Sequence, residues 1–265
     1  MAATMSHSSP SSLSPSARLR LFVDLPLAAG TDCSLPPGPA RHAQVRRVQP
    51  GDVLLLFNGQ GQDWPATVLA MGKTEVRVHI GAPLPVHREL PWPVTLALAM
   101  PANERMDTLV EKATELGAAH IQPLHSERSV LRLQGERAER KREHWQAIAA
   151  AACEQCGRAV VPQVAPVAAL GAWLQALPPA GTAPRLLLSL APGAPGLAQR
   201  GLPAAVGTPL LTLSGPEGGL TADEEAAARA AGFTGTNLGP RVLRAETAPL
   251  AVLAWLALQP AAIEL

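Results

Sequence analysis

The sequence predicts an α/β domain on a parallel sheet, preceded by a smaller β-barrel domain. Residues 18–88 contain short strand patterns separated by turns. Residues 87–93 hold two prolines that interrupt regular structure. Beyond them, near-continuous apolar strands alternate with helices, as in a parallel sheet covered by helices. We therefore predict a β domain over residues 18–88, an α/β domain over 92–265, and a disordered Ser/Pro/Ala-rich tail over 1–17.

The first domain is predicted from four short strands and the turns between them. Asn58-Gly59 is a dipeptide that favours tight hairpins, and Gly72-Lys73-Thr74 marks a second turn. The predicted strands cover residues 19–23, 53–57, 66–70 and 76–80. Four short strands within about seventy residues are typical of a small barrel.

The second domain is predicted from apolar strands that alternate with helices. Thr221 and Glu224 have the spacing of a capping box, so a helix should begin there. Gly117 and Gly232 are placed to end helices. Predicted strands cover 94–100, 119–124, 185–190 and 209–214, and predicted helices cover 103–116, 136–155, 221–231 and 247–259. The last helix is apolar all round, so it should be buried against something.

Composition excludes several classes of protein. Of 265 residues, 47% are hydrophobic and 16% are charged, which supplies a packed core and argues against a disordered chain. The net charge of +1 excludes binding to nucleic acid by bulk charge, but not by a local basic patch. No uncharged apolar run reaches the roughly 18 residues of a membrane span. Three cysteines cannot form a disulfide framework, so we expect a reducing, cytoplasmic location.

Three short motifs resemble ligand sites but lack essential parts. Gly72-Lys73-Thr74 ends like a phosphate-binding loop, but Thr67 stands where that loop needs glycine. Asn58–Trp64 begins like a dinucleotide fingerprint and lacks its third glycine. Cys153 and Cys156 form a CxxC near a helix end, with no second pair to complete a metal site. We interpret the cysteines as small buried residues on one helix face and predict no metal.

A glycine-rich loop follows the strand that ends at Ser214. It reads Gly215-Pro216-Glu217-Gly218-Gly219 and leads into the capped helix. Glycines at the carboxyl end of a strand let backbone groups approach a ligand closely. The sequence therefore predicts a binding loop with Glu217 as its one charged side chain.

A second loop lies between an apolar strand and the apolar last helix. Residues 238–249 read LGPRVLRAETAP, in which Thr247 can cap the helix and Pro249 suits its first turn. Arg241, Arg244 and Glu246 fall on a flank where charges must be paired or used. Structural ion pairs and a functional site both stay open at this point.

The two loops together closely resemble the ribosomal RNA small subunit methyltransferase E family, SPOUT-class enzymes that methylate N3 of a uracil in 16S rRNA. Other segments agree: Arg20–Asp24, the stretch 41–59, Arg105-Met106-Asp107, residues 111–117, Ser126–Val130 and Glu154–Arg158. The resemblance covers nearly all of the chain after the tail. It implies a deep C-terminal trefoil knot and a PUA-like RNA-binding barrel, with knots otherwise nearly absent from proteins.

The resemblance also implies the site. S-adenosylmethionine would be held largely by backbone groups, and the residues implied are Leu188, Ser189, Ser214, Gly215, Glu217, Gly218, Gly219, Leu238, Gly239, Pro240, Leu243 and Arg244. The candidate bases for the uracil N3 proton are Glu217 and Glu246, and the candidate stabilisers of the uracil oxygens are Arg244 and Arg158. RNA contacts are expected from Arg20, Arg46, Arg47, Arg105, Arg128 and Arg132.

The implied partners are 16S rRNA, within the 30S subunit or a late precursor, and a second copy of the chain in a homodimer. One alternative is a catalytically silent RNA-binding protein used in ribosome assembly, and another is a methyltransferase with a different RNA target.

Two features depart from the family pattern. The loop Ser189–Gly193 lacks the His-Pro pair common there, and Arg46 stands where an apolar residue is usual. The basic run from Arg137 to Arg142 fits either phosphate contact or a solvated helix face.

Overall fold

The computed structural model of the protein describes residues 19–101, 103–181, 183–201, 203 and 205–259. The predicted disordered tail, residues 1–17, lies outside these residues. The chain forms two compact units, which we describe separately. The first unit comprises residues up to Leu56 together with Trp64–Pro83, and the second comprises Phe57–Asp63 together with the chain from Leu84 onward.

The first unit is built on a sheet with one helix. Its elements are β1 (Arg20–Phe22), β2 (Asp32–Ser34), α1 (Pro37–Val45), β3 (Val53–Phe57), β4 (Gln62–Met71) and β5 (Val76–Ile80). The strands pair in the order β1–β3–β4–β5–β2, and the pairs from β3 onward are antiparallel. Alternate side chains of β5 are buried, as expected for a sheet with one face on a core. Within the described residues β1 and β2 end this path, so the strand pairing does not close a ring.

Helix α1 was not predicted, because its sequence looks like a loop. It begins at Pro37 and contains Gly38 and Pro39, residues that usually break helices. Proline is nevertheless favoured in the first turn, where no backbone N–H is needed. The helix ends at Val45 with Arg46 as its C-cap, and Arg47 then adopts a left-handed backbone conformation with φ of 56°. A side chain there costs energy that glycine would avoid.

The second unit holds the remaining elements. The strands are β6 (Leu84–Pro85), β7 (Val94–Ala99), β8 (His120–His125), β9 (Gln163–Val164), β10 (Ala168–Ala169), β11 (Arg185–Leu188), β12 (Leu210–Ser214) and β13 (Thr234–Thr236). The helices are α2 (Asn103–Glu115), α3 (Gly135–Cys156), α4 (Leu170–Ala176), α5 (Leu197–Arg200), α6 (Ala222–Ala230) and α7 (Thr247–Ala257). The predicted strands and helices of this unit are all present. The apolar strand predicted before residue 238 corresponds to β13, whose sequence is Thr-Gly-Thr. The short elements β6, β9, β10, α4 and α5 were not predicted.

The large sheet is parallel throughout. Its strands lie in the order β10–β8–β7–β12–β11–β13, with β9 also beside β8. Strand β12 enters between β7 and β11, although β11 precedes it in the chain. In an open parallel sheet, ligands bind outside the carboxyl ends of the strands, where the strand order changes direction. This edge is therefore the expected place for a site.

Helices cover both faces of the sheet, because successive strand residues point to opposite sides. Leu96 and Leu98 face one core, which they share with α2, α3 and α7, while Ala97 faces the other core, with α4 and α6. In α7, Val252, Leu253 and Leu256 are buried, and the helix contacts α2, β7 and β12. Within the described residues, no helix is both long and apolar enough to cross a membrane.

The predicted capping box at the start of α6 is confirmed. The Thr221 hydroxyl accepts a hydrogen bond from the Glu224 backbone N–H at 3.2 Å. The Glu224 carboxylate accepts one from the Thr221 N–H at 2.9 Å. The same carboxylate also accepts from the Glu127 N–H at 2.7 Å. The capping box thus ties the segment after β8 to the loop that precedes α6.

Candidate active site

A cavity of about 600 Å³ lies at the carboxyl ends of the parallel strands. Residues that follow five different strands line it. They come from β11 (Leu187–Leu190), from β12 (Ser214–Leu220), from β13 (Thr236, Leu238 and 241–245), from the segment after β7 (Arg105) and from the segment after β8 (Arg128). The volume suits a nucleoside-sized ligand.

The glycines of the loop after β12 have separate structural reasons. A Cβ on Gly215 would lie 2.9 Å from the Leu220 backbone nitrogen, so the loop can close on itself only with glycine. Gly219 has φ of +68°, and its N–H donates to the Pro216 carbonyl at 2.8 Å. A Cβ on Gly218 would meet only the Arg128 side chain, at 3.4 Å. Of the three, Gly218 is therefore the one that the fold of the loop itself does not require.

The loop after β13 contributes a second wall. Gly239 has φ of +106°, and its N–H donates to the Asn237 side-chain oxygen at 2.6 Å. Leu238, Leu243 and Arg244 line the cavity, as the sequence interpretation requires. Gly239 and Pro240 do not line it, because they form the turn that brings their neighbours there.

One buried polar atom in the cavity wall has no partner. Ser214, the last residue of β12, is 3% exposed, and its hydroxyl makes no hydrogen bond with the described residues. Such an orphan is uncommon and points to a ligand or water. Ser189 differs, since its hydroxyl accepts from the Ala191 N–H at 3.1 Å.

Three charged side chains meet near the mouth of the cavity. The Arg105 guanidinium donates to the Glu217 carboxylate at 2.9 Å, and its Nε lies 3.9 Å from the Glu246 carboxylate. The Glu246 Oε2 atom is buried and makes no hydrogen bond with the described residues. Both candidate bases thus face a single arginine, which the sequence interpretation assigned only to RNA.

Knowledge of the strand order would have placed Arg105 in the cavity wall. It follows β7 by six residues, and β7 is hydrogen-bonded to β12, the strand that carries the glycine-rich loop. The carboxyl ends of neighbouring parallel strands meet at one edge. The missing information was which strands are neighbours, because β7 and β12 are over a hundred residues apart in the sequence.

Arg128 supports the glycine-rich loop. Its guanidinium donates to the Gly218 carbonyl at 2.9 Å. Its own segment is held by the buried Ser126 and Ser129 hydroxyls, 2.9 Å apart, and by the Glu127–Glu224 contact. Arg128 is therefore part of the cavity wall, and an additional role toward RNA stays a prediction.

The structure does not bring Arg158 to the cavity. This side chain is 3% exposed and forms an ion pair with Glu89, with Nε 3.1 Å from both carboxylate oxygens. Its Nη1 also donates to the Thr114 carbonyl at 2.8 Å. These contacts give Arg158 a structural role, and its assignment as a stabiliser of uracil has no geometric support.

The other arginines assigned to RNA lie on the surface. Arg46 and Arg47 are exposed and Arg20 is half-buried, all in the first unit. Arg132, in the second unit, is exposed and donates to the Glu127 carbonyl at 2.9 Å. On α3, Arg140 pairs with Glu136 and Arg142 with Glu139, which favours the solvated helix face.

The cysteines of the CxxC are free thiols near the end of α3. A hydrogen bond with Cys156, together with burial, raises the pKa of the Cys153 thiol. A raised pKa disfavours the reactive thiolate. This agrees with the interpretation of Cys153 as a small buried residue.

Comparisons with known proteins agree with this architecture. A family model described as an RNA methyltransferase domain matches residues 88–257, and one described as an RNA methyltransferase PUA domain matches residues 40–81. Ribosomal RNA small subunit methyltransferase E of Synechocystis sp. is 36% identical over 218 residues, which cover 80% of this chain and 67% of that protein.

Solved structures with bound cofactor are also similar. Ribosomal RNA small subunit methyltransferase E from Neisseria gonorrhoeae, bound to S-adenosyl methionine, has a TM-score of 0.83 and 35% identity, over 91% of this chain and 97% of that one. A methyltransferase from Legionella pneumophila with bound cofactor SAM has a TM-score of 0.82 and 32% identity, with the same coverage.

The sheet, the cavity at its carboxyl edge and the matched domains together define an RNA methyltransferase with an N-terminal PUA-like domain. More narrowly, the chain belongs to the ribosomal RNA small subunit methyltransferase E family.

Proposed function

We propose that this protein transfers the methyl group of S-adenosylmethionine to N3 of a specific uracil in 16S rRNA. The observation that carries the proposal is the 600 Å³ cavity, which joins backbone-lined loops to the Arg105, Glu217 and Glu246 cluster. The N. gonorrhoeae relative, with S-adenosyl methionine bound, supports the choice of methyl donor.

The cavity residues fit S-adenosylmethionine. Gly219 lines the cavity and has open space where a side chain would stand, so a ligand could approach its backbone groups. The unpartnered Ser214 hydroxyl could bond to a polar ligand atom, and Leu188, Leu238 and Leu243 supply apolar surface for an adenine ring. When bound, this molecule supplies an electrophilic methyl group on a positively charged sulfur.

The chain must make uracil N3 nucleophilic. N3 carries a proton, and its lone pair becomes available for attack only as that proton leaves. Glu217 lines the cavity, so its carboxylate is the better placed of the two candidate acceptors. Arg244 also lines the cavity, where its guanidinium could contact the uracil or its phosphate.

The RNA partner we propose is 16S rRNA assembled in the 30S subunit or a late precursor, which implies a cytoplasmic reaction. Arginines of the first unit, Arg20, Arg46 and Arg47, would contact phosphates there, and Arg132 would do so from the second unit. Phosphate contacts supply affinity and register, whereas groups in the cavity supply the chemistry. Folded RNA can be read by its shape in this way.

We further propose a homodimer and a C-terminal trefoil knot. Helix α7 supports the dimer, because its apolar Leu250 and Trp255 are only half-buried in the single chain. The insertion of β12 between β7 and β11 supports a threaded chain. A stable monomer in sedimentation at micromolar concentration that still methylates would contradict the dimer, and an experimental chain trace without a threaded segment would contradict the knot.

Methyl transfer from labelled S-adenosylmethionine to purified 30S subunits tests the function. The subunits should come from cells that lack the protein, and the product should be mapped in 16S rRNA by mass spectrometry. We expect one N3-methyluridine that depends on the added protein. Cofactor binding in calorimetry without any methyl transfer would favour a silent assembly protein. Methylation of another RNA would overturn the choice of substrate.

A further inference from the structure

Arg105 is placed to act on the reacting base, beyond any role in RNA affinity. It lies in the first turn of α2, where the chain leaves the carboxyl end of β7. Its guanidinium contacts Glu217 on the cavity wall and approaches Glu246 behind it. The side chains of Arg105 and Glu217 are 39% and 34% exposed, whereas that of Glu246 is 18% exposed. Arg105 therefore lies between Glu217 and Glu246 in a row of three charged groups, of which Glu246 is the least exposed.

Glu246 is poorly placed to receive a proton itself. Its Oε2 atom is sealed from solvent, and Glu246 is not among the residues that line the cavity. Its Oε1 atom lies on the side of Arg105, at 3.9 Å. A buried carboxylate is expensive without a positive partner, so Glu246 should hold the Arg105 guanidinium toward the row.

We propose that Arg105 is a catalytic residue that stabilises negative charge as it moves from Glu217 to the uracil, and that Glu246 is its positioning residue. This inference rests on the proposed function. In the free protein Arg105 neutralises the Glu217 carboxylate. During the reaction the N3–H bond breaks and the Glu217 O–H bond forms, so the negative charge passes to N3 and the uracil oxygens. The N3 electron pair then forms the bond to the methyl carbon, and the carbon–sulfur pair stays on sulfur as the neutral thioether.

Arginine suits this role for a geometric reason. A guanidinium carries five donors in a planar fork, so it can contact a carboxylate and a second oxygen at the same time. A lysine ammonium is a compact point charge and cannot keep this arrangement. Donors that are already placed where charge develops accelerate a reaction because they need no reorganisation.

A role for Arg105 in phosphate contact alone, as expected from the sequence, would give a different kinetic result. If Arg105 contacts only phosphate, its loss should raise KM and reduce the salt dependence of RNA binding, with kcat preserved. If Arg105 stabilises the reacting base, its loss should lower kcat with little change in KM. The two roles can therefore be separated by kinetics at saturating substrate.

The experiment uses the full chain, 30S subunits and S-adenosylmethionine, with wild type, Arg105→Gln, Arg105→Lys and Arg132→Gln. Arg132 is the matched control, because it is an exposed arginine of the second unit that donates to a carbonyl rather than to a carboxylate. We expect Arg105→Gln to lower kcat by about 10² to 10³, with KM changed less than about threefold. Arg105→Lys should recover only part of the loss, whereas Arg132→Gln should act mainly on KM.

Two further measurements distinguish chemistry from folding. Calorimetry with S-adenosylmethionine should give the same affinity for Arg105→Gln as for wild type. Guanidinium ion at millimolar concentration should partly restore kcat in Arg105→Ala, which no structural defect would permit. Glu246→Gln should lower kcat in the wild type but cause no additional loss in the Arg105→Gln background, because Glu246 acts through Arg105.

The outcomes separate this proposal from the proposed function. If wild type does not methylate 30S subunits, the function itself is wrong. If wild type methylates and Arg105→Gln loses only RNA affinity, the catalytic role of Arg105 is overturned. Additive losses from Arg105→Gln and Glu246→Gln would refute the positioning role of Glu246 alone.

Discussion

The parallel strands have a cavity at their carboxyl ends (the carboxyl edge) and another at their amino ends (the amino edge), each with an arginine in its wall. The two arginines have different hydrogen-bond partners. At the carboxyl edge, Arg105 faces two carboxylates beside an open cavity. At the amino edge, a smaller cavity of about 360 Å³ is lined by Arg185 together with residues such as His120 and Trp173. Arg185 is buried and donates to the Ala231 and Pro178 carbonyls at 2.6 and 2.7 Å.

The difference concerns whether the partners of a charge can be exchanged. Backbone carbonyls of a folded chain cannot leave Arg185, so this residue stabilises the fold. In our proposal, Arg105 can exchange a carboxylate oxygen for a substrate oxygen as negative charge moves to the base. Ser214, whose buried Oγ makes no hydrogen bond with the described residues, also lines the carboxyl-edge cavity. The hydrogen-bond partners therefore distinguish the two arginines, whereas a neighbouring cavity alone does not.

The largest effect is expected at the carboxyl edge, from Gly218→Val. The side chain would stand beside Arg128 on the wall of the cavity that we propose for the cofactor, so affinity for S-adenosylmethionine should fall at least about 100-fold, roughly 2.7 kcal/mol. Calorimetry measures the affinity, and circular dichroism checks that the fold is kept. Gly171→Val is the control, because this helical glycine has open space around it. Unchanged affinity in Gly218→Val would show that the ligand lies elsewhere.

At the amino edge, Arg185→Met should lower stability and leave the affinity for S-adenosylmethionine unchanged. The Ala231 and Pro178 carbonyls would each lose a charged donor, so the free energy of unfolding should fall by about 2–4 kcal/mol. Denaturant titration measures this, with Arg229→Met as a control in which only an exposed i,i+4 pair is lost. A large loss of S-adenosylmethionine affinity in folded Arg185→Met would show that Arg185 also supports ligand binding, contrary to this distinction.

A smaller loss is expected from Glu89→Gln, which tests the structural role of Arg158. The guanidinium would stay buried opposite a neutral amide, and removing one partner of a buried pair is destabilising. Glu89 is a third exposed, so we expect only about 1–3 kcal/mol. Chemical denaturation gives the stability, and single-turnover methylation at saturating substrate should match wild type. A reduced rate in a stable variant would return Arg158 to the active site.

The smallest effect is expected in the first unit, from Arg47→Gly. Arg47 pays a backbone penalty for its left-handed conformation, so Arg47→Gly should raise stability by up to about 1 kcal/mol. If the side chain contacts phosphate, the same substitution should weaken 30S binding and reduce its salt dependence by about one ion. Thermal unfolding and binding at several salt concentrations measure the two effects. Weaker binding is the informative result, because a structural residue would show only the gain in stability.

Local signals in the sequence were sufficient for the long elements and for the two loops that line the cavity. The capping box at Thr221 and Glu224 fixed one helix start, and the apolar strands before the loops fixed the edge of the sheet. Short elements such as β9 and α5 were missed because two to four residues hold too little pattern. Helix α1 was missed because its prolines and glycine suggest a loop.

The charged cluster required information that no local pattern contains. Whether an arginine faces a carboxylate or a carbonyl depends on which strands are neighbours. Arg105 and Arg158 are both arginines in matched motifs, yet one lies in the cavity wall and the other is paired away from it. The strand order that decides between them is set by tertiary packing.

The position of β12 also has a consequence for synthesis on the ribosome. Strand β7 pairs with β8 early, but its other edge waits for residues 210–214, which emerge over a hundred residues later. At cellular rates of translation this delay is on the order of ten seconds. During that time an apolar strand edge is unpaired, and such edges attract other chains. We therefore expect the nascent chain to expose this strand edge until β12 arrives, which should make truncated chains that end before residue 210 prone to bind chaperones.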